Sequence, residues 1–410
     1  MKKIAILGAG ISGLSLAYFL EQMEPGVEIE IFEKSDRIGG WIRSDWIEGH
    51  LLERGPRSIR TAGLGQETLA LVKALGLEGK MVLPSKAARR RFLWCDGELQ
   101  KVPSGRLLRG LWRDILREWR VPPSRAEDET IHAFFSRRFG EKFTERLVDP
   151  AIAGIFAGNP RNLSIRSCLP RVFEMEQEKG SLVRGFFRRK RHPFPMFSFK
   201  EGMETLPRTL AQTIRAPIHF NTPIESADQI DADQICSTLP AHALAKIYPD
   251  LSEKFEKLPF ASLAVVGLVY DNPVRKPQGF GYLIPSKENQ QILGCVFDSD
   301  VFSQQNSGKE TRLSVMMHGC EKPDEEIINV AKENLARHLG ITSEPVVASV
   351  SRADRAIPQY PVGHHRLVAE LDQLPRLTLL GISFRGVSVN DCIHAAREAA
   401  TRFAAHRAAQ

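Results

Sequence analysis

The chain has 410 residues, 42% hydrophobic and 26% charged, which allows two or three domains around real cores and excludes a disordered or fibrous protein. The net charge of +7 suits an acidic ligand or an anionic lipid surface; nucleic acid is the rival partner, but no helix-turn-helix, zinc-finger or aromatic-basic RNA signature supports it. Six scattered cysteines without a C-x-x-C pair and eleven histidines without an H-x-x-x-H predict reduced, mostly buried thiols and no metal site.

In chain order, Ile4-Ala5-Ile6-Leu7 is a continuous apolar run, as in a parallel strand covered on both faces. Leu14, Ala17, Tyr18 and Leu20 follow at helical spacing, and Glu28 to Phe32 alternate as a second strand, giving a βαβ unit. Lys2-Lys3 before apolar residues imitates a signal peptide, but three glycines interrupt the run and no small-residue cleavage site follows Leu20. A helix is predicted near 66–75, ending at Gly76. Over 106–120, Arg106, Arg109, Arg113, Arg117 and Arg120 share one helix face, with Leu108, Leu111, Trp112, Ile115 and Trp119 nearly opposite. Pro122-Pro123 closes that segment, and Asp128-Glu129 opens a helix through Phe135 and Phe139 to Gly140. Residues 184–192 are strongly basic and adjoin Phe186, Phe187, Phe194, Phe197 and Phe199. Thereafter a helix through Leu210, strands at 235–238, 262–270 and 311–317, a helix over 324–339 stopped by Gly340, a strand at 376–380 and a helix from about 390 are predicted. No run of about 18 apolar residues occurs, so the expectation is a cytoplasmic protein, soluble or peripheral on a membrane.

Both ends carry motifs that bear chemistry. In Gly8-Ala9-Gly10-Ile11-Ser12-Gly13, Gly8 permits a tight turn, Gly10 lets backbone approach a pyrophosphate, and Gly13 lets helix and strand pack closely. Glu33, twenty residues beyond Gly13, is placed to accept from both ribose hydroxyls and to repel a 2′-phosphate, against NADP. An ordinary glycine-rich turn is the bland alternative, and NAD shares the fingerprint. The extension Glu33-x-x-x-Arg37-x-Gly39-Gly40 tilts the choice to FAD, with Arg37 serving phosphate or capping Glu33. Near the other end, Gly381 closes a buried strand, Gly386 gives room for a ring against backbone, and Asn390 or Asp391 caps a helix packed through Ala395, Ala396, Ala399 and Ala400. Such a helix start would stabilise negative charge on a reduced flavin, although a glycine before an alanine-rich helix is common on its own.

Further segments make the chain specific. Gly39-Gly40-Trp41-Ile42-Arg43-Ser44, Glu53-Arg54-Gly55-Pro56-Arg57-Ser58, Arg91-Phe92-Leu93, Gly154 to Asn159, Leu163 to Cys168, Gln278 to Pro285, Ile357-Pro358-Gln359-Tyr360 and Gly386 to Ile393 resemble the oxygen-dependent protoporphyrinogen oxidases over nearly the whole chain. The likeness is nearer the protoporphyrinogen-using branch than the coproporphyrinogen-using one. The resemblance implies an α/β fold of the flavin amine oxidase type. Its parts are a Rossmann-like FAD domain from 1–84, 196–240 and 376–410, a helical, membrane-facing domain over 85–195, and a mixed-sheet substrate domain over 241–375. It implies FAD contacts at Gly8, Gly10, Ile11, Ser12, Gly13, Glu33, Lys34, Arg37, Gly39, Gly40, Trp41, Gly55, Pro56, Arg57, Ser58, Ile224, Gly381, Gly386, Val387 and Val389. For the substrate it implies Arg91 on a propionate, Gly154 at a tight wall, Phe280 and Leu283 around a pyrrole with Gly281 between, and Met316 facing the flavin side. The implied partners are a porphyrinogen, molecular oxygen and an anionic membrane surface, with a homodimer admitted.

A porphyrinogen is electron-rich and largely apolar, with carboxylates at its edge. It asks for an apolar slot and one anion anchor, while its pyrrole nitrogens supply electrons, so no strong enzymic base is required. No catalytic triad or paired acids stand out. Without the motif context, Phe280, Leu283 and Met316 read as plain core. Two departures from the family pattern are the shortness of 221–236, which implies a trimmed hairpin over the adenine, and the excess of basic residues at 184–192. That loop and helix 106–120 are expected to face anionic headgroups, against the alternative of a helix packed on the core with solvated arginines. The rivals are another flavin amine oxidase, acting on a polyamine or carotenoid, and a colourless relative that binds a protein or prenyl group.

Overall fold

The computed structural model describes residues 3–105, 110–187, 194–274, 277–319 and 321–408. Arg106, Leu108, Arg109 and the basic stretch 188–193 lie outside the described residues.

Five parallel strands form the first sheet, in the order Ile218–His219, Glu28–Phe32, Lys3–Leu7, Gln234–Ser237, Leu377–Leu379. The apolar run at residues 4–7 is central and buried on both sides, as its unbroken pattern predicts. On one side pack helices Ile11–Met23 and Val389–Ala408, where Ala395, Ala396, Ala399 and Ala400 share a core with Leu14, Leu16 and Ala17. On the other side Ala241, Leu244, Phe255, Val368 and Leu371 join Ala5 and Leu7. Helices Ala241–Ile247, Ser252–Glu256 and His364–Leu371 therefore belong to the nucleotide domain, not to the substrate domain as the expected boundaries at 241 and 375 required. Between Ile218–His219 and Gln234–Ser237 the chain makes only a short 3-10 turn, Ala227–Gln229.

The second sheet has seven strands, in the order Val347–Pro358, Phe260–Tyr270, Thr311–Met317, Ile292–Val296, Gly281–Leu283, Arg91–Cys95, Glu98–Val102. Only Gly281–Leu283 with Arg91–Cys95 is parallel, so the sheet is mixed. Arg91–Cys95 and Glu98–Val102 fall within the stretch expected to be helical from 85 onward. Their partner strand lies far along the chain, which no local pattern reveals. Alternation decides the faces. Phe92, Tyr282, Cys295 and Val315 form one core with Ile327, Ala331 and Leu335 of helix Asp324–Leu339. Their neighbours in sequence must face the opposite way.

A third body is helical: Trp112–Arg117, Ile131–Phe139, Asp149–Phe156, Ile165–Cys168, Pro170–Lys179 and Leu182–Phe187. Ile131, Phe134, Ile152, Phe156, Leu163 and Leu182 form its core. A buried ionic network ties its helices. The Arg138 Nε donates to Glu118 at 2.7 Å, its Nη1 donates to Glu176 and its Nη2 to the Gly180 carbonyl at 2.8 Å. Ser181 Oγ and the Leu182 N–H also donate to Glu118, at 2.6 and 2.8 Å. Burial pushes the Glu118 carboxyl up, but these bonds hold it below its usual value. Leu111, Ile115 and Glu118 therefore turn inward. Trp112, Leu116 and Trp119 are 55%, 57% and 50% exposed. Phe197 and Phe199, expected beside a surface loop, are fully buried in the nucleotide-domain core. The helix expected to open at Asp128-Glu129 instead starts after Thr130, whose hydroxyl accepts the Ala133 N–H. Asp128 accepts from Ser164 and Gly363.

Candidate active site

The nucleotide cradle is built from two glycine turns in contact. Gly8 has φ +100°, and a Cβ on Gly13 would lie 2.0 Å from the Gly8 carbonyl oxygen, so helix and strand approach as only glycine permits. Gly10 precedes helix Ile11–Met23 without a side-chain cap, leaving the first-turn N–H groups, with Ile11 and Ser12 buried there, free for an anion. The Gly39 N–H donates to the Ala9 carbonyl at 2.9 Å, and a Cβ on Gly40 would sit 3.3 Å from the Gly10 Cα. Glu33 is buried at the end of the second strand. It accepts the Ala9 N–H at 2.9 Å on Oε2 and the Ser35 N–H and hydroxyl at 3.0 and 2.7 Å on Oε1, leaving a lone-pair site on Oε2 for a ribose hydroxyl. Lys34 beside it is exposed, and Ile224 packs half-buried against the core that holds Ala5, Leu7 and Ala241. Arg37 makes no hydrogen bond to Glu33; it donates to the carbonyls of Ile38 and Gly40 and so braces its own turn, which corrects the capping alternative.

Residues 53–58 join this domain to the substrate sheet. A Cβ on Gly55 would lie 1.8 Å from the Trp41 carbonyl oxygen, so the two turns interlock, while the Trp41 ring is largely exposed. Pro56 and Ser58 are half-buried on either side of Arg57. The Arg57 Nε stands 3.2 Å from Asp298, which in turn accepts from Ser314 Oγ at 2.7 Å. Glu53 accepts the Met203 N–H and the Ser44 hydroxyl, both at 2.7 Å, and burial lifts its carboxyl to about 7 against the opposing pull of those donors.

The far end of the chain supplies the last wall. Gly381 and Gly386 both have positive φ, and a Cβ on Gly386 would meet the Asp391 carboxylate at 2.7 Å. Ser388 and Asp391 cap each other at the start of helix Val389–Ala408. Asn390, the other expected cap, turns inward to Thr68 and the Arg60 carbonyl. Val387 packs on the helical body, and Val389 is buried in the nucleotide core. Two glycine cradles that a Cβ would fill and an uncapped helix start fit a flavin dinucleotide. The residues above would hold it, and once bound it supplies a two-electron acceptor.

The substrate face of the mixed sheet follows from register. Leu93 pairs with Leu283, Leu283 with Gly294, Gly294 with Met316, and Met316 with Val265, so all lie in one row on the face turned from helix Asp324–Leu339. Gly294 lacks a side chain between Leu283 and Met316, which stand about 9–10 Å apart across two strand spacings. The row is an apolar trough. Gly154 of helix Asp149–Phe156 roofs it: a Cβ there would meet the Leu283 methyls at 2.8 and 3.0 Å. One row along, Arg91 pairs with Gly281 and Gly281 with Val296, and the Arg91 guanidinium lies 4.9 Å from the Phe280 ring centroid. Partial desolvation, and then the like charge of Arg60, lower the Arg91 pKa; among the described residues no carboxylate pairs with it. The structure thus brings Arg91, Gly154, Phe280, Gly281, Leu283 and Met316 to one face. Gly294, Asp298, Ser314, Glu53 and Arg60 are additions. Glu53 stood only inside a quoted motif, and Gly294 left a signal as a glycine inside an apolar strand.

Comparison with known proteins agrees with this architecture. Residues 11–403 match the family described as flavin containing amine oxidoreductase. The chain is 34% identical to the protoporphyrinogen oxidase of Bos taurus, covering 98% of each. It is 27% identical to the coproporphyrinogen III oxidase of Staphylococcus aureus, covering 97% of this chain and 98% of the other. A crystal structure of an Exiguobacterium protein superposes with a TM-score of 0.85 at 24% identity, covering 99% of both chains. With FAD as its cofactor the chain is an oxidoreductase, and it belongs to the flavin containing amine oxidoreductase family.

Proposed function

We propose that the chain oxidises protoporphyrinogen IX to protoporphyrin IX with molecular oxygen as the final acceptor. The observation that carries this reading is Arg91: a guanidinium with no carboxylate partner among the described residues, lying over Phe280 beside an apolar trough that is roofed by Gly154. That arrangement suits a flat apolar ring with a carboxylate at its edge. A small amine would call for the opposite charge. The trough side chains Leu93, Leu283, Met316 and Val265 carry no acid or base, so the chain's part is to bind, orient and exclude water. The names of the relatives support the same substrate class.

The test is oxidation of protoporphyrinogen IX and coproporphyrinogen III side by side by the FAD-loaded protein, followed by porphyrin fluorescence. A higher kcat/KM for protoporphyrinogen is expected. Oxidation of coproporphyrinogen alone, or of neither, overturns the reading.

The same reading places the protein on the cytoplasmic face of an anionic membrane. No described helix is long and apolar enough to span one. Trp112, Leu116 and Trp119 form an exposed stripe at i, i+4 and i+7, among the exposed Arg113, Arg117 and Arg120. Co-sedimentation with phosphatidylglycerol vesicles at low salt is expected, and free protein in the supernatant overturns this part.

A further inference from the structure

Two consecutive residues join the substrate wall to the loop that closes the flavin site. Gln359 reaches one way: its Nε2 donates to the Phe156 carbonyl at 2.7 Å, two residues beyond Gly154, and a Cβ on Gly158 would strike its amide. Its backbone N–H is fixed by the Pro259 carbonyl at 2.8 Å. Tyr360 reaches the other way. Its hydroxyl accepts the Gly386 N–H at 3.1 Å and donates to the Ile382 carbonyl, so it spans the loop between the two positive-φ glycines. The Tyr360 carbonyl accepts the Ser164 N–H of the helical body at 2.8 Å. The ring is 2% exposed and stacks on His364, with centroids 4.2 Å apart and planes at 9°. Helical body, substrate sheet and flavin loop therefore meet at one dipeptide.

We propose that Tyr360 is the positioning residue that holds the Gly381–Gly386 loop, and with it the flavin ring, at a fixed offset from the Gly154 wall. The inference rests on the flavin site and, for its kinetic arm alone, on the proposed porphyrinogen substrate. Tyr360 touches neither reacting partner through its hydroxyl, because both bonding directions of that oxygen are spent on the loop. Removing the hydroxyl keeps the stack on His364 but deprives the half-buried Gly386 N–H and Ile382 carbonyl of the partner that ties them together. The glycine turn then relaxes. Hydride transfer is steep in position, with an error of 1 Å costing on the order of a hundredfold.

The test is Tyr360→Phe, with Gln359→Leu as the second variant and Val266→Ala, in the core beneath helix Asp324–Leu339, as a control for lost stability. For Tyr360→Phe the anaerobic flavin reduction rate with protoporphyrinogen is expected to fall about tenfold to a hundredfold, with KM changed less than about twofold. Its visible flavin circular dichroism should shift, and its FAD dissociation constant should rise about tenfold. Val266→Ala should leave spectrum and FAD affinity at wild-type values. Gln359→Leu should raise KM while sparing the spectrum. Wild-type spectrum, FAD affinity and reduction rate in Tyr360→Phe overturn the proposal. So does an equal spectral shift in Val266→Ala. If Tyr360→Phe does not fold, a Gln359→Leu protein with altered spectrum and unaltered KM overturns the separation of the two arms. Failure of the wild type to oxidise any porphyrinogen would strike the substrate reading and leave the spectral and FAD-affinity arms standing.

Discussion

Arg91 shows how one residue type acquires a task from its surroundings. It opens a strand whose following residues are buried, and no carboxylate meets it among the described residues. A charge-assisted bond to a propionate is worth about 1.5–3 kcal/mol, so Arg91→Ala should raise the porphyrinogen KM roughly tenfold to a hundredfold with little change in kcat. Steady-state kinetics checks this. Gly154 tests the roof. In Gly154→Ala the new methyl displaces the Leu283 tip, which is flexible, into the trough. A loss in kcat/KM of roughly tenfold or more is expected. Thermal stability should not fall, since alanine gains about 1 kcal/mol over glycine in a helix. Glu53 tests electrostatics. Its folded carboxyl titrates near about 7 against an ordinary 4.5, so the native state holds the proton more tightly than the unfolded chain. The resulting stabilisation is complete below about 4.5 and is lost as pH rises through about 7; it amounts to about 3 kcal/mol. Melting temperature against pH should therefore slope down more steeply in the wild type than in Glu53→Gln over that window. Parallel slopes would refute the assignment. The importance of Arg91 was legible from its motif, whereas Glu53 was quoted only as part of one. Nothing local announces that a strand-end acid will be sealed by Ser44 and Met203.

Elements were legible where a single period ran uninterrupted. Helix Asp324–Leu339 and strand Thr311–Met317 have the predicted limits, because each buries one face and is closed by a distinct signal, such as Gly340 in the left-handed region. The sequence leaves the faces of helix Trp112–Arg117 open, between anionic headgroups and the core. Hydrophobicity alone does not reveal that an acid, Glu118, is the buried member, with Arg138 and Glu176 beneath it. Burial of an ion pair is tolerated only while the set is complete. Arg138→Met should strand Glu118 and Glu176 without their shared cation and cost about 3–5 kcal/mol. Limited proteolysis should then cut within 110–187, while FAD remains bound to the untouched five-stranded sheet. Cleavage no faster than in the wild type would show that the network is dispensable.

At the scale of the molecule, the sequence located the nucleotide fold at both termini because glycine turns and an acid mark it. The substrate sheet was less visible. Its strand Arg91–Cys95 pairs with Gly281–Leu283, and such long-range parallel pairing leaves no trace within either segment. The expected boundary at 85 failed for the same reason, and that at 241 because helices Ala241–Ile247 and Ser252–Glu256 pack on the first sheet beside Ala5 and Leu7. Removal of residues 389–408 should abolish FAD binding, because helix Ile11–Met23 then loses the alanine face that supports its phosphate end; flavin retained on gel filtration would refute this. One of the first sheet's two edge strands is Leu377–Leu379, although its central strand is Lys3–Leu7. At about 5–20 residues per second, a ribosome spends on the order of tens of seconds between the two. During that interval the βαβ unit emerges with one flank bare. The cradle is whole only once the final helix has emerged, so uptake of the vitamin-derived cofactor is expected to follow translation.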